Sequence, residues 1–298
     1  MSIAFSAQRL LLVCALSVIC FSAGASDTST NDELFWIFTV NTNGGPKEYR
    51  MPKNEMRRET LDLDGRPLHV VEVYRNREKG PKQLVIFVHG TPGGWFDQMP
   101  FLTNEFMRDN FHMIAVDRLG HGRSEGKIVS SLQAQAASFK PLLDRDTTGD
   151  GAILVGHSLG GPIIARTAMD YPNQISGLVF IASTADPNRS RRWYNIAAAI
   201  PPVRWLVPRQ LARANLEIMP LKTQLEAMRP LWQNIQVPTT IIQGAKDKLV
   251  NPKHADFMQQ ALVNAEVNMI TFPDADHFIH WRQPQIVIDV LSGFKAQK

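Results

Sequence analysis

The sequence predicts an α/β fold built on a mostly parallel, doubly wound sheet, and three observations lead there. Short apolar runs suited to buried parallel strands alternate with helix-like segments over most of the 298 residues. The run Ala152-Ile153-Leu154-Val155 passes through Gly156-His157-Ser158-Leu159-Gly160-Gly161 into Pro162-Ile163-Ile164-Ala165-Arg166-Thr167-Ala168, which reads as a helix with Pro in its first turn. Four more polar or glycine-rich segments each follow an apolar run, at the strand ends where open parallel sheets build their sites.

Taken from the N-terminus, Arg9 is the only charge before the uncharged run Leu10–Phe21, and Ala23-Gly24-Ala25 supplies small residues beyond it. This pattern predicts a signal peptide over residues 1–25 and export to a periplasm or the medium. An uncleaved helical anchor is the alternative, although the run is short for a span of about 20 apolar residues. Both cysteines, Cys14 and Cys20, fall inside this leader, so the mature chain is expected to carry no disulfide and no thiolate metal site. Residues 26–54 read as an N-terminal extension, with a polar stretch from Asn41 to Lys53 ahead of the first strand pairing. Residues 57–63 and 68–74 then flank Asp64-Gly65, a hairpin signal.

The strand Leu84–Val88 precedes His89-Gly90-Thr91-Pro92-Gly93-Gly94. Met113–Val116 precedes Asp117-Arg118-Leu119-Gly120-His121-Gly122-Arg123-Ser124. Past the strand Gly177–Ile181, about fifty residues intervene before Thr239–Ile242, far more than a βα connection needs. Then Thr239–Ile242 leads to Gly244-Ala245-Lys246-Asp247, and Val267–Phe272 leads to Asp276-His277-Phe278 ahead of a helix at Pro284–Leu291. The division is therefore core 55–185, insertion 186–236, core 237–298.

Hydrophobic residues make up 44% of the chain and the net charge is +4. That content supports one large core, and no run of Lys and Arg is dense enough for a nucleic-acid partner. The insertion carries eight Arg and Lys (Arg189, Arg191, Arg192, Arg204, Arg209, Arg213, Lys222, Arg229) against Asp186, Glu217 and Glu226, a net of +5. With Trp193, Trp205, Trp232 and the apolar run 197–203, it could pack onto the core or make weak contact with an anionic membrane surface.

A serine between glycines at a strand-to-helix reversal is the nucleophile-elbow pattern, in which the serine takes a strained angle and lifts its hydroxyl clear of the sheet. From about residue 55 onward, this elbow and the four ordered segments resemble the α/β-hydrolase superfamily, in particular its capped, serine-nucleophile, esterase- or lipase-like members. The resemblance implies the α/β-hydrolase fold with a helical cap over 186–236. It implies Ser158 as nucleophile, His277 as its base and Asp247 as the acid orienting His277, with His280 and Asp186 as the alternatives. It also implies an oxyanion hole from the amides of Thr91 and Leu159, with Asp117 and His121 structural. No cofactor and no metal is expected.

Departures narrow the chemistry. Haloalkane dehalogenases and epoxide hydrolases of this fold carry aspartate at the elbow, where this chain has Ser158. Proline iminopeptidases share a loop like 89–94 but usually carry Trp after the serine, where this chain has Leu159. The insertion offers only Glu217 and Glu226 to grip a substrate amine. The expectation is an exported serine hydrolase that cleaves a small-molecule or lipid-like carboxylic ester through an acyl-enzyme. The alternatives are an iminopeptidase-like amidase, a C–C bond hydrolase, or a catalytically inactive binding protein.

Overall fold

Strands that are apolar at nearly every position must be covered on both faces, and the sheet meets that demand. In the computed structural model residues 34–42, 45–189 and 209–296 are described. The leader 1–25 and the insertion segment 190–208, with Arg191, Arg192, Trp193, Arg204, Trp205 and the apolar run 197–203, lie outside the described residues. β5 (Gln83–Val88), β6 (Phe111–Val116), β7 (Ala152–His157), β8 (Ile175–Ile181) and β9 (Thr239–Gly244) are buried along almost their whole lengths. β3 (Met56–Asp62), β4 (Pro67–Val73) and β10 (Val267–Phe272) complete a sheet of order β10-β9-β8-β7-β5-β6-β4-β3. β3 and β4 pair antiparallel, as do β4 and β6, and every other neighbour pair is parallel.

Alternation along each strand sends side chains to two cores. Leu84, Ile86, Val88, Leu154 and Phe180 face one side, packed by Ile163 and Ile164 of the helix Gly160–Asp170. Val85, Phe87, Ile153, Val155 and Val179 face the other, packed by Val287, Ile288 and Leu291 of the helix Pro284–Ala296. The fold is thus α/β, doubly wound and mostly parallel. The central helix starts two residues earlier than Pro162 predicts, because Gly160 and Gly161 already turn as helix behind Ser158.

Two features depart from a simple alternation. Most of the polar stretch from Asn41 to Lys53 is strand rather than lead-in: β1 (Leu34–Thr42) pairs antiparallel with β2 (Gly45–Pro52), in register from Trp36↔Met51 to Thr42↔Gly45 with a shift between Leu34 and Trp36, and Lys53 opens a 3-10 turn, Lys53–Glu55. Backbone hydrogen bonding needs no apolar pattern, and among the described side chains of β2 Met51 and Tyr49 join the core. Between β8 and β9 the described part of the insertion holds the helices Arg209–Ile218 and Leu221–Met228 and a 3-10 segment, Arg229–Asn234. Trp232 there is 1% exposed, with its ring 6.0 Å from those of Phe180 and Phe257. At about 25 cal/mol per Å² over roughly 200 Å², that burial contributes about 5 kcal/mol toward seating the insertion. Arg189, Arg213, Lys222 and Arg229 all bond within the protein.

Burial of histidines sets an acid limit on stability. Burial lowers His69 and His254 to about 4 and His280 to about 3, and it pushes His89 and His157 well below the ordinary imidazole value of 6.5. As pH falls below 6.5 the unfolded chain takes up these protons first, so this stability is lost on acidification. Burial also raises Asp97 to about 8 and Asp117 to about 6, which acts in the opposite sense. Five imidazoles outweigh two carboxyls between these limits. The melting temperature should therefore fall steadily from about pH 6.5 to about pH 4.5, as followed by scanning calorimetry. A flat or rising profile over that window would contradict the assignment.

Candidate active site

Ser158 sits where β7 ends and the central helix begins, with φ of 54° in the left-handed region. Such a conformation costs on the order of 1–3 kcal/mol for a side-chain-bearing residue and must be held by its surroundings. Three backbone bonds hold it: Ser158 N–H donates to Ile181 O at 2.9 Å, and Ser158 O accepts from Gly161 N–H and Thr184 N–H. The flanking glycines are sterically required. A Cβ on Gly156 would lie 2.7 Å from Gly160 O, and one on Gly160 would lie 2.3 Å from Val88 O.

The imidazole and the carboxylate arrive from the two strands at the far edge. The loops after β9 and β10 lie so close that a Cβ on Gly244 would meet Ala275 O at 2.5 Å and Asp276 O at 2.6 Å. Asp247, from the first loop, is fully committed: Oδ1 accepts from Leu249 N–H and Val250 N–H, both at 2.8 Å, and Oδ2 accepts from His277 Nδ1 at 2.7 Å. Because Nδ1–H faces the carboxylate, Nε2 of His277 is left as the acceptor nitrogen. His157, immediately before Ser158, donates Nε2–H to His277 O at 3.0 Å, with the two rings 4.7 Å apart. Asp247 is therefore bonded to His277 directly, and the His277 loop is pinned to the residue next to Ser158.

The loop after β5 closes over the same point. A Cβ on Gly90 would come 3.0 Å from Ser158 Cβ, so Thr91 follows a residue in near contact with the serine. Among the described residues no backbone carbonyl accepts from the amide of Thr91 or of Leu159. His89 donates Nδ1–H to Gly90 O at 2.7 Å and accepts at Nε2 from Arg118 N–H at 3.0 Å. Gly94 N–H donates to Asp97 Oδ2 at 3.1 Å. Asp117 accepts from Trp95 N–H and Arg123 N–H, both at 2.9 Å, tying two loops together.

The competing residues are occupied elsewhere. Asp186 accepts from Asn188 N–H and lies 3.6 Å from Arg189 and 3.8 Å from Arg229, without a bond to His277. His280 is buried against His157, ring centroids 4.0 Å apart, and neither ring nitrogen has a partner among the described residues. Sequence reading misses the pairing of two buried residues at this site, Arg118 and Glu217. Arg118 donates to Glu217 at 2.6 Å and 3.1 Å, to His89 O at 3.0 Å and to Gly90 O at 2.8 Å. His121 Nε2 also lies 3.0 Å from Glu217 Oε2. The only sequence signal was an arginine two residues past a buried strand, whose partner is 99 residues away. Glu217 is thus spent within the protein, and Glu226 sits 3.6 Å from Lys222.

Among the described residues no group of His, Cys, Asp or Glu is arranged to hold a metal ion. A hydroxyl on a strained turn, an imidazole oriented by a carboxylate, and two amides without carbonyl acceptors are the parts that acyl transfer uses.

Comparison with known proteins agrees with this reading of the fold. The chain is 31% identical over 121 residues to the dihydrolipoyllysine-residue acetyltransferase component of an acetoin cleaving system from Cupriavidus necator, a match covering 41% of this chain and only 30% of that protein. It is 24% identical over 245 residues to monoglyceride lipase from Homo sapiens, covering 70% of this chain and 80% of the lipase. The crystal structure of Cfl2 from Burkholderia cenocepacia superposes with a TM-score of 0.63 at 18% identity, covering 80% of this chain and 96% of that one. A family model described as the alpha/beta hydrolase family matches residues 85–290, from β5 into the last helix. With the sheet order, the strained elbow and the family match all spanning the same stretch of chain, the protein is a hydrolase that belongs to the alpha/beta hydrolase family.

Proposed function

We propose that the protein is a serine hydrolase that cleaves carboxylic esters through an acyl-enzyme. The observation that carries this is the 2.7 Å bond from His277 Nδ1 to Asp247 Oδ2, on a loop pinned beside Ser158. In this reading His277 Nε2 takes the proton as Ser158 Oγ attacks the substrate carbonyl. The amides of Thr91 and Leu159 hold the oxyanion of the tetrahedral intermediate. The imidazolium, steadied by Asp247, then protonates the leaving alcohol and frees it. Water attacks the acyl-enzyme with His277 again as base, and the acid departs.

Ester cleavage is favoured over aminopeptidase chemistry by the fate of the cap acids. Glu217 is buried and bonded to Arg118, so it is not free to grip a substrate amine, and Glu226 is an exposed residue with Lys222 at 3.6 Å. The name of the human relative points to a glyceride ester, which supports the same choice of bond and a lipid-like substrate class. Export through the leader 1–25 belongs to this proposal, and a mature N-terminus at Ser26 is the expected result of N-terminal sequencing.

The test is a panel of nitrophenyl esters of increasing acyl length beside aminoacyl nitroanilides. Ester turnover should exceed anilide turnover by a large factor. The reverse order would replace the ester reading with an amidase.

A further inference from the structure

We infer that Arg118 and Glu217 act together as positioning residues, coupling the cap to the loop that carries the Thr91 amide. The inference rests on the proposed acyl-enzyme chemistry, because it assigns a task to the loop that would bind the oxyanion.

The guanidinium of Arg118 is fully buried and Glu217 nearly so. Its Nη1 donates to Glu217 Oε1 at 2.6 Å, and its Nη2 reaches Glu217 Oε2 at 3.1 Å, a two-pronged grip on a carboxylate from the helix Arg209–Ile218. The donors on the other side of the same planar group go to two consecutive carbonyls, Nε to His89 O at 3.0 Å and Nη2 to Gly90 O at 2.8 Å. One rigid fork therefore spans the cap and the backbone just ahead of Thr91. The Arg118 amide adds a third hold, on His89 Nε2.

Stability does not explain this arrangement. Burying two charges costs about as much as their attraction returns, and apolar residues of similar volume often serve a fold equally well. The cap also has other fastenings: Gln224 accepts from Leu132 N–H at 2.7 Å and donates to Ser130 O at 2.8 Å, and Arg213 donates to Gly120 O and Gly126 O. What the pair supplies, and apolar residues would not, is direction. A fixed guanidinium plane fixes the peptide planes of His89 and Gly90, and through them the aim of the next amide. Gly90 also abuts Ser158, so a shift of this loop would move donor and nucleophile relative to each other. Neither residue touches substrate in this scheme, and both act through the loop.

The test is the double variant Arg118→Met with Glu217→Leu, alongside the single variant Arg118→Lys. The double variant leaves no buried charge unpaired. Lysine keeps a cation for Glu217 but, as a point charge, lacks the fork that reaches both carbonyls. Turnover of p-nitrophenyl acetate is measured per active site, counted by burst titration, so that partial unfolding does not enter kcat. Loss of one oxyanion donor costs about 10²–10³ in kcat, and a misaimed donor should cost less, about 10–100-fold, with KM within about twofold. Affinity for a trifluoromethyl ketone, which forms an oxyanion on Ser158, should fall by the same factor. Wild-type kcat per site in both variants would overturn the inference, as would a loss confined to KM. Failure of both to fold would also overturn it, making the network a requirement of the fold. If wild-type turnover survives Ser158→Ala, the acyl-enzyme reading falls and this inference falls with it. Ser158-dependent turnover that ignores the pair overturns the inference alone.

Discussion

Replacing Ser158 with alanine is expected to lower ester turnover by on the order of 10⁶-fold while the fold persists. The reason is chemical: without the hydroxyl there is no acyl-enzyme, and only oxyanion and binding contributions remain, worth about 10³–10⁴ over water. Structural loss should be small. Alanine at φ of 54° carries much the same backbone strain as serine, and the bonds to Ile181, Gly161 and Thr184 are all made by the backbone. The measurement is kcat on a nitrophenyl ester beside the melting temperature of the same sample. Turnover near wild type in a folded Ser158→Ala protein would remove the proposed nucleophile.

Replacing Asp247 with asparagine should cost about 10⁴ in kcat, with little change in KM. The local bonding dictates the outcome. Oδ1 already accepts from the amides of Leu249 and Val250, so the asparagine oxygen must take that place and its NH₂ must face His277. An NH₂ group can only donate, which moves the imidazole proton from Nδ1 to Nε2, on the nitrogen that would have to accept from serine. Asp186→Asn is the control, since Asp186 has no bond to His277 and its partners are Asn188 and Arg189 in its own segment and Arg229. Steady-state kinetics on the two variants separate the acids. A large loss in Asp186→Asn with near-normal Asp247→Asn would reverse the assignment.

The sheet could be read from the chain because its central strands are buried on both faces. A run such as Leu84–Val88 is apolar throughout, and all five of its residues are buried, so composition and environment coincide. The positions of Ser158, Asp247 and His277 were visible for a related reason: each follows a strand of the sheet (β7, β9 and the partly exposed edge strand β10), and parallel sheets put all those ends on one side. β2 was harder to see, since the polar sequence from Asn41 to Lys53 gives no apolar alternation, whereas the apolar run Leu34–Phe38 that opens β1 was a strand signal left unread. The dipeptide Asn43-Gly44, a strong hairpin signal, was a second hint. Contacts between distant residues were illegible. Nothing near Arg118 announces that Glu217 will meet it, and nothing around His157 foretells its bond to the carbonyl of His277. Such pairings arise only when the cap and the strand-end loops converge on one place.

The most direct test of the central claim is covalent. The purified protein is treated with a fluorophosphonate, its intact mass is measured, and the adduct is mapped by peptide sequencing. The account predicts one adduct per chain, carried by Ser158, with ester turnover lost in step and with labelling slowed in Asp247→Asn. Complete inactivation with the adduct on another residue, or unimpaired turnover by a protein fully labelled at Ser158, would contradict it.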